Sequence, residues 1–198
     1  MPRSLRVVVV DNHDSYTFNL TALLQVAGAA VEVVRNDDPT LDALGADDLD
    51  ALVISPGPGT PLRAADVGRL PDLLDRLPST PILGVCLGHQ LLAHHLGATI
   101  EQIAPHHGHL STVSHDGTGL FAGLPTPFTA TRYHSLTVSA VDLPPALRIT
   151  ARAEDGVVMG LAVDGRPWHG VQFHPESVAS QYGDRLVESF LRSVTRTA

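Results

Sequence analysis

The chain has 198 residues, of which 43% are hydrophobic and 17% are charged, a balance that predicts a folded rather than a disordered protein. Its 13 basic residues are all arginines and face 21 acidic residues, so the net charge is −8, which disfavours nucleic acid as the main partner. The lack of lysine excludes Schiff-base and P-loop chemistry, and the single cysteine, Cys86, excludes an internal disulfide and suggests a reducing compartment.

The length predicts one domain over residues 1–198. No apolar run reaches the ~20 residues that a membrane helix needs. The apolar stretch near the N-terminus runs directly into Asp11 and Asp14, which argues against a signal peptide. We therefore expect a soluble, cytoplasmic protein with no membrane partner.

Short apolar runs alternate with amphipathic stretches through the first half of the chain. The predicted strands are Leu5–Val10, Val31–Arg35, Ala51–Ser55 and Pro81–Val85. The predicted helices are Ser15–Ala27, Leu70–Leu77 and Leu87–Leu96, with Gly28 and Gly97 as stop signals. This alternation predicts a mostly parallel α/β sheet with helices on both faces, and such sheets bind ligands beyond the carboxyl ends of their strands.

The second half of the chain changes character. Short strand candidates are separated by turn residues, and they are Thr99–Ile103, Leu110–Val113, Phe128–Arg132, Leu147–Ala153, Val157–Val163 and Trp168–Phe173. Asp-Gly pairs at 155–156 and 164–165 are good hairpin signals. We expect an antiparallel extension of the same open mixed sheet, followed by a last helix over Tyr182–Val194.

A cysteine sits where a predicted strand becomes a helix, in Gly84-Val85-Cys86-Leu87-Gly88. The spacing G-x-C-x-G is the thiol version of the nucleophile elbow, and the helix N-terminus behind it stabilises a thiolate. The N–H of Leu87 could also hold an oxyanion. A lone cysteine is more often a small buried hydrophobe, but the two glycines at a strand–helix junction favour a nucleophile.

A histidine and a carboxylate two residues apart could supply a base and its orienting group. His174 and Glu176 lie on the same face of an extended segment, and Pro175 restricts His174 to that geometry. A carboxylate beside an imidazole sets its tautomer and stabilises its cation. The alternative is an ordinary His–Glu pair at a strand end.

Five motifs in this order give the chain a resemblance to the class I glutamine amidotransferases of the triad type, which have a flavodoxin-like fold. The motifs span Asp11–Leu20, Ser55–Gly59, Gly84–Gln90, Arg132–Leu136 and Gly170–Ser177, so the resemblance covers nearly the whole chain. It implies that Cys86 is the nucleophile, His174 the acid and base, and Glu176 the group that orients it. The implied glutamine-binding and oxyanion positions are Gly57, Pro58, Gly59, Leu87, Gln90, Ser135 and Leu136.

The resemblance also implies a reaction. The thiolate attacks the side-chain amide of L-glutamine, ammonia leaves, and a γ-glutamyl thioester is hydrolysed to glutamate. This half-reaction needs no metal or organic cofactor in this chain, whereas we expect the partner synthase to need Mg²⁺. The chain is too short to hold a chorismate-converting domain as well, so we expect a separate chorismate-binding synthase subunit.

The opening motif is that of the subgroup that supplies chorismate enzymes. Asp14 or Ser15 in this motif could instead simply cap the following helix. Three segments, Asn12–Tyr16, Arg132–Leu136 and Ala153–Leu161, resemble aminodeoxychorismate synthase (a folate-type pathway) more than anthranilate synthase component II (tryptophan biosynthesis), which stays the alternative. A stand-alone γ-glutamyl thiol hydrolase and a non-catalytic binding subunit are further alternatives.

A histidine cluster, His106-His107-Gly108-His109, invites a metal interpretation. Histidines in a loop with proline and glycine and without a neighbouring carboxylate are more often solvated, so we expect no metal site. His109 stands where the resembled family often has Lys or Arg, which leaves its role open.

Overall fold

Nine strands form one mixed sheet in the computed structural model, which describes residues 3–196. The strands are β1 (Arg6–Asp11), β2 (Ala30–Arg35), β3 (Ala51–Ile54), β4 (Ile82–Val85), β5 (Ile100–His115), β6 (Phe128–Val138), β7 (Leu147–Ala153), β8 (Val158–Val163) and β9 (Trp168–Val171). The α-helices within the described residues are α1 (Thr17–Val26), α2 (Ala64–Val67), α3 (Leu70–Arg76), α4 (Leu87–His95) and α5 (Gly183–Arg196). The strand order is β2-β1-β3-β4-β9-β8-β7-β5-β6.

The first five strands of that order run parallel, as the alternating pattern predicts. In β1, Val9 lies opposite Val33 of β2 and Val53 of β3. β4 then pairs with β9, so that Gly84 lies opposite Gly170. The carboxyl ends of β3, β4 and β9 therefore lie side by side at one edge of the sheet.

Helices cover both faces of the parallel half, because alternate side chains of each strand point to opposite faces. Val7 and Val9 belong to the core that holds the apolar side chains of α1 and α5. Val8 and Val10 belong to the core that holds those of α3 and α4. The predicted arrangement of helices on both faces of an α/β sheet is confirmed.

The antiparallel extension curls until its last strand meets the segment that follows β9. The backbone N–H of His174 donates to the carbonyl of Thr131 at 3.0 Å, and that of Gln181 donates to the carbonyl of Thr129 at 2.9 Å. β6 is thereby held near the carboxyl end of the parallel half. These two hydrogen bonds join residues that are 43 and 52 positions apart in the chain.

Two of the predicted strands, Thr99–Ile103 and Leu110–Val113, are one strand, β5, so the histidine segment between them is not a loop. The pairing of β5 with β6 shifts register between Gln102 and His106 and again between His107 and His109. Such bulges accommodate residues that would otherwise end a strand. Here they accommodate Pro105 and also Gly108, whose φ of +67° is left-handed. β6 likewise continues beyond the predicted end at Arg132 to Val138.

The ends of the helices agree closely with the sequence signals. Gly28 and Gly97 follow α1 and α4 with φ values of +96° and +94°, a conformation that favours glycine. Before α1, the Asp14 carboxylate accepts from the N–H of Tyr16 at 2.7 Å, so Asp14 does support the helix start. Helix α5 begins one residue after the predicted start.

None of the helices within residues 3–196 combines the length and the apolar character that crossing a membrane would require. The four terminal residues of the predicted domain, 1–2 and 197–198, lie outside the described residues.

Phe190 in α5 is fully buried against the sheet, whereas Phe18 in α1 is 66% exposed. We expect Phe190→Ala to lower the free energy of unfolding by about 3–5 kcal/mol, because it removes a large buried side chain and leaves a cavity. The matched change Phe18→Ala should cost less than about 1 kcal/mol. Urea unfolding followed by Trp168 fluorescence measures both, and equal losses would contradict this packing.

Candidate active site

A strained turn between β4 and α4 presents Cys86. Its backbone has φ 52° and ψ −101°, which is rare for a residue other than glycine. A Cβ at Gly84 would lie 2.5 Å from the carbonyl carbon of Gly88, and a Cβ at Gly88 would lie 2.4 Å from the carbonyl oxygen of Ile54. Only glycine fits at both positions, so the G-x-C-x-G spacing is a requirement of the turn.

The Cys86 sulfur lies among polar groups from two other parts of the chain, β6 and the segment that follows β9. The Nε2 amide of Gln172 donates to it at 3.6 Å, and the thiol itself can donate to the carbonyl of Tyr133 at 3.9 Å. His174 is close enough to interact with it electrostatically. The sulfur also lines a pocket of about 350 Å³.

His174 and Glu176 form a buried pair beside the sulfur. Nδ1 of His174 lies 2.5 Å from Oε1 of Glu176, and both side chains are almost completely buried. Nε2 of His174 has no hydrogen-bond partner of normal geometry within residues 3–196. Burial by itself lowers the pKa of His174, but the neighbouring Cys86 sulfur and Glu176 carboxylate outweigh burial and raise that pKa to about 10.

Two tyrosine rings hold the His174 imidazole from its sides. The ring centroids of Tyr16 and Tyr133 lie 5.5 Å and 5.4 Å from that of His174, in edge-on arrangements. The tyrosine rings also lie 5.5 Å from each other. Both residues occur within the recognised motifs, but their contact with the histidine depends on the curl of the sheet and was not predicted.

The pocket gathers the residues that the resemblance implies for substrate binding. Its lining includes all seven of them, Gly57, Pro58, Gly59, Leu87, Gln90, Ser135 and Leu136, together with Cys86. Residues that were not predicted complete it, namely Pro105, His106, His107, Tyr133 and His134. His174 and Glu176 are not part of the lining and lie behind the sulfur.

The Pro-Gly-Pro-Gly wall of the pocket is held by a buried asparagine. The Asn12 side chain donates to the carbonyl of Ser55 at 2.8 Å, and its backbone N–H donates to the Ser55 hydroxyl at 2.9 Å. The side-chain amide of Asn36 donates to the side-chain Oδ1 of Asn12 at 2.9 Å. A Cβ at Gly57 would lie 2.5 Å from the Cβ of Asn12, so the loop packs closely on this residue. The opening motif thus supports the pocket wall as well as the helix.

A buried arginine, missed by the sequence analysis, fixes the opposite wall. Arg132 donates to the Asp155 carboxylate at 2.7 Å and to Nε2 of His134 at 3.0 Å. Nδ1 of His134 then lies 2.9 Å from the carbonyl oxygen of Leu136, to which it donates. Burial, with the Arg132 guanidinium beside the ring, lowers the pKa of His134 to about 4. The neutral ring therefore has a fixed tautomer.

Two histidines of β5, His106 and His107, line the pocket. The His106 ring is stacked on that of His134 and meets His109 edge-on, each at 5.6 Å between centroids. Within residues 3–196 no group of three or more histidine, cysteine or carboxylate side chains is arranged to hold a metal ion.

Comparison with known proteins identifies a matching family and similar proteins. The family described as glutamine amidotransferase class-I matches residues 8–194. The chain is 47% identical to a Mycobacterium tuberculosis H37Rv protein named anthranilate synthase component 2, over 94% of this chain and 82% of that protein. It is 50% identical to a Streptomyces griseus protein named aminodeoxychorismate synthase, over 94% of this chain but 26% of that protein.

A solved structure shares the fold. A Thermoplasma acidophilum protein described as a GMP synthase subunit superposes with a TM-score of 0.87, at 28% identity, over 99% of this chain and 96% of that one. The mixed sheet with helices on both faces is therefore an arrangement that the two chains share.

The neutral state of buried His134 predicts a loss of stability in acid. The unfolded chain takes up this proton near pH 6.5 and the folded chain near pH 4, so stability falls as the pH drops between those values. Between pH 7 and pH 5 the unchanged protein should lose free energy of unfolding. We expect the loss in His134→Gln to be about 1–2 kcal/mol smaller, because glutamine takes up no proton. Urea unfolding at both pH values measures this, and equal losses would contradict it.

Proposed function

The chain belongs to the class-I glutamine amidotransferases, and we propose that it hydrolyses L-glutamine and delivers the ammonia to a separate chorismate-binding synthase subunit. The observation that carries this proposal is a buried cysteine sulfur at a helix start, lining a pocket and backed by an imidazole–carboxylate pair. That arrangement suits nucleophilic attack by a thiolate on a small amide.

In the proposed reaction, the Cys86 sulfur attacks the side-chain amide carbon of glutamine. The cationic His174 imidazole gives its proton to the departing nitrogen, the C–N bond breaks, and ammonia leaves a γ-glutamyl thioester. The neutral imidazole then takes a proton from water, which attacks the thioester, and the C–S bond breaks to release glutamate. Glu176 keeps the Nδ1 proton in place throughout, as its 2.5 Å contact favours.

The pocket walls supply the remaining contacts in this proposal. The backbone N–H groups of Gly57 and Leu87 hold the developing oxyanion, a role whose loss typically costs about 10²–10³ in rate. Gln90 donates both amide hydrogens to protein acceptors, Leu136 and Gln172, so its carbonyl oxygen can accept from the substrate ammonium. Ser135 and Leu136 bound the other side of the substrate.

We further propose the aminodeoxychorismate synthase reaction of a folate-type pathway as the destination of the ammonia. The 50% identity to the Streptomyces griseus protein and the segments Asn12–Tyr16, Arg132–Leu136 and Ala153–Leu161 support it. Anthranilate synthase component II is the second candidate, because the Mycobacterium tuberculosis relative is matched over 82% of its length. We propose no metal or organic cofactor in this chain and Mg²⁺ in the partner synthase.

We expect Cys86→Ala to lower glutamine-dependent product formation by at least about 10³-fold, because the nucleophile is lost. The same complex should work at its normal rate with added ammonium, which shows that the partner and the assembly are intact. Assay of the chain with its synthase partner, with either nitrogen source, measures both. Retained glutamine-driven turnover would refute the nucleophile, and unstimulated hydrolysis of γ-glutamyl compounds by the chain alone would favour a stand-alone hydrolase.

The identity of the product separates the two pathways. The co-purified complex, given chorismate and glutamine, should form 4-amino-4-deoxychorismate, which chromatography distinguishes from anthranilate. Formation of anthranilate would overturn the folate-type proposal and leave the glutaminase proposal standing.

A further inference from the structure

A fully buried glutamine lies directly beside the proposed nucleophile. Gln172 follows the last residue of β9, and its side chain is 0% exposed. The backbone N–H of Cys86 donates to the carbonyl of Val171 at 2.9 Å, which holds the two strand ends together. Gln172 is not part of the pocket lining, so it faces the sulfur from within the protein.

The orientation of the Gln172 amide is fixed by a chain of donors that starts at a backbone carbonyl. The carbonyl oxygen of Leu136 can only accept, so Gln90 must present its Nε2 to it, at 2.8 Å. The same Nε2 lies 3.0 Å from Oε1 of Gln172, which must therefore be the oxygen. The Nε2 of Gln172 is left to donate to the Cys86 sulfur at 3.6 Å.

The strength of this last contact depends on the protonation state of the sulfur. A thiol is a weak acceptor, and a buried amide N–H with a weak acceptor costs free energy. A thiolate is an anionic acceptor, and hydrogen bonds to ions are about twice as strong as neutral ones. The buried amide therefore stabilises the thiolate more than the thiol.

We propose that Gln172 is a further catalytic residue, which donates a hydrogen bond to the Cys86 sulfur and stabilises it as an anion. The effect on turnover rests on the proposed function, whereas the effect on the sulfur does not. The other groups at the sulfur are the carbonyl of Tyr133 and the imidazole of His174. Unlike His174, Gln172 keeps its proton through the reaction, so it also supports the sulfur when the thioester C–S bond breaks and the electron pair returns to it.

The single cysteine makes this inference directly measurable, because an alkylating reagent reports on Cys86 alone. In Gln172→Glu, one carboxylate oxygen can still accept from Gln90. The amide nitrogen that donates to the Cys86 sulfur is replaced by the other oxygen. We expect the rate of alkylation by iodoacetamide at pH 7 to fall about tenfold or more and its rise with pH to move to higher pH. Gln172→Met, which has no polar atom to offer, should act in the same direction.

The matched control is Gln181→Glu. The Gln181 side-chain oxygen accepts from the backbone N–H of Thr129 at 2.9 Å, and the glutamate retains this acceptor away from the sulfur. Its alkylation rate should stay within about twofold of the unchanged protein. Thermal unfolding checks each variant, and Gln172→Met carries the test if Gln172→Glu does not fold. Unchanged rates and pH dependence in the folded Gln172 variants would overturn the proposal.

A second measurement separates this inference from the proposed function. In the complex, Gln172→Glu should lower kcat for glutamine with little change in KM, because Gln172 does not line the pocket and the glutamate keeps an acceptor for Gln90. If the Gln172 variants are alkylated more slowly but the unchanged protein does not turn over glutamine, the proposed function alone is refuted. Normal alkylation in the variants, with turnover that still requires Cys86, would refute the role of Gln172 alone.

Discussion

At the turn between β4 and α4, the backbone of Gly88 approaches the carbonyl of Ile54 more closely than any side chain would permit. This contact between backbones sets how deeply α4 lies against the sheet. It thereby fixes where the first turn of the helix begins and where the Cys86 sulfur stands. The pocket, the imidazole–carboxylate pair and the glutamine amide are all arranged around that one point.

The curl of the antiparallel extension supplies the other half of the site. Without the contact between Thr131 and the backbone of His174, the wall that carries Tyr133 to Leu136 would have no fixed position relative to the sulfur. A parallel sheet provides strand ends at one edge, but it does not close a pocket there. An edge strand normally needs protection against pairing with another chain. In this chain the edge strand β6 covers the pocket.

Local spacing made part of this site predictable from the sequence. The glycines around Cys86, the His-Pro-Glu segment and the Pro-Gly loop each depend on a few neighbouring residues, and the structure brings all of them together at one pocket and its rear wall. Their chemical roles stay proposals. Arg132, Gln172 and Tyr16 were missed because the partners that define them lie far away in the chain. The unbroken course of β5 was missed because bulges accommodate Pro105 and Gly108, which in isolation indicate a loop.

The ion pair between Arg132 and Asp155 has a practical consequence for re-engineering the chain. Asp155 stands at the tight connection between β7 and β8, a place that would ordinarily tolerate an inserted epitope or new chain ends. Cutting or extending the chain at this connection would release the Asp155 carboxylate, which neutralises the buried Arg132 guanidinium. The connection between β8 and β9, where Gly165 has open space around its α-carbon, is the better position for a tag or a circular permutation.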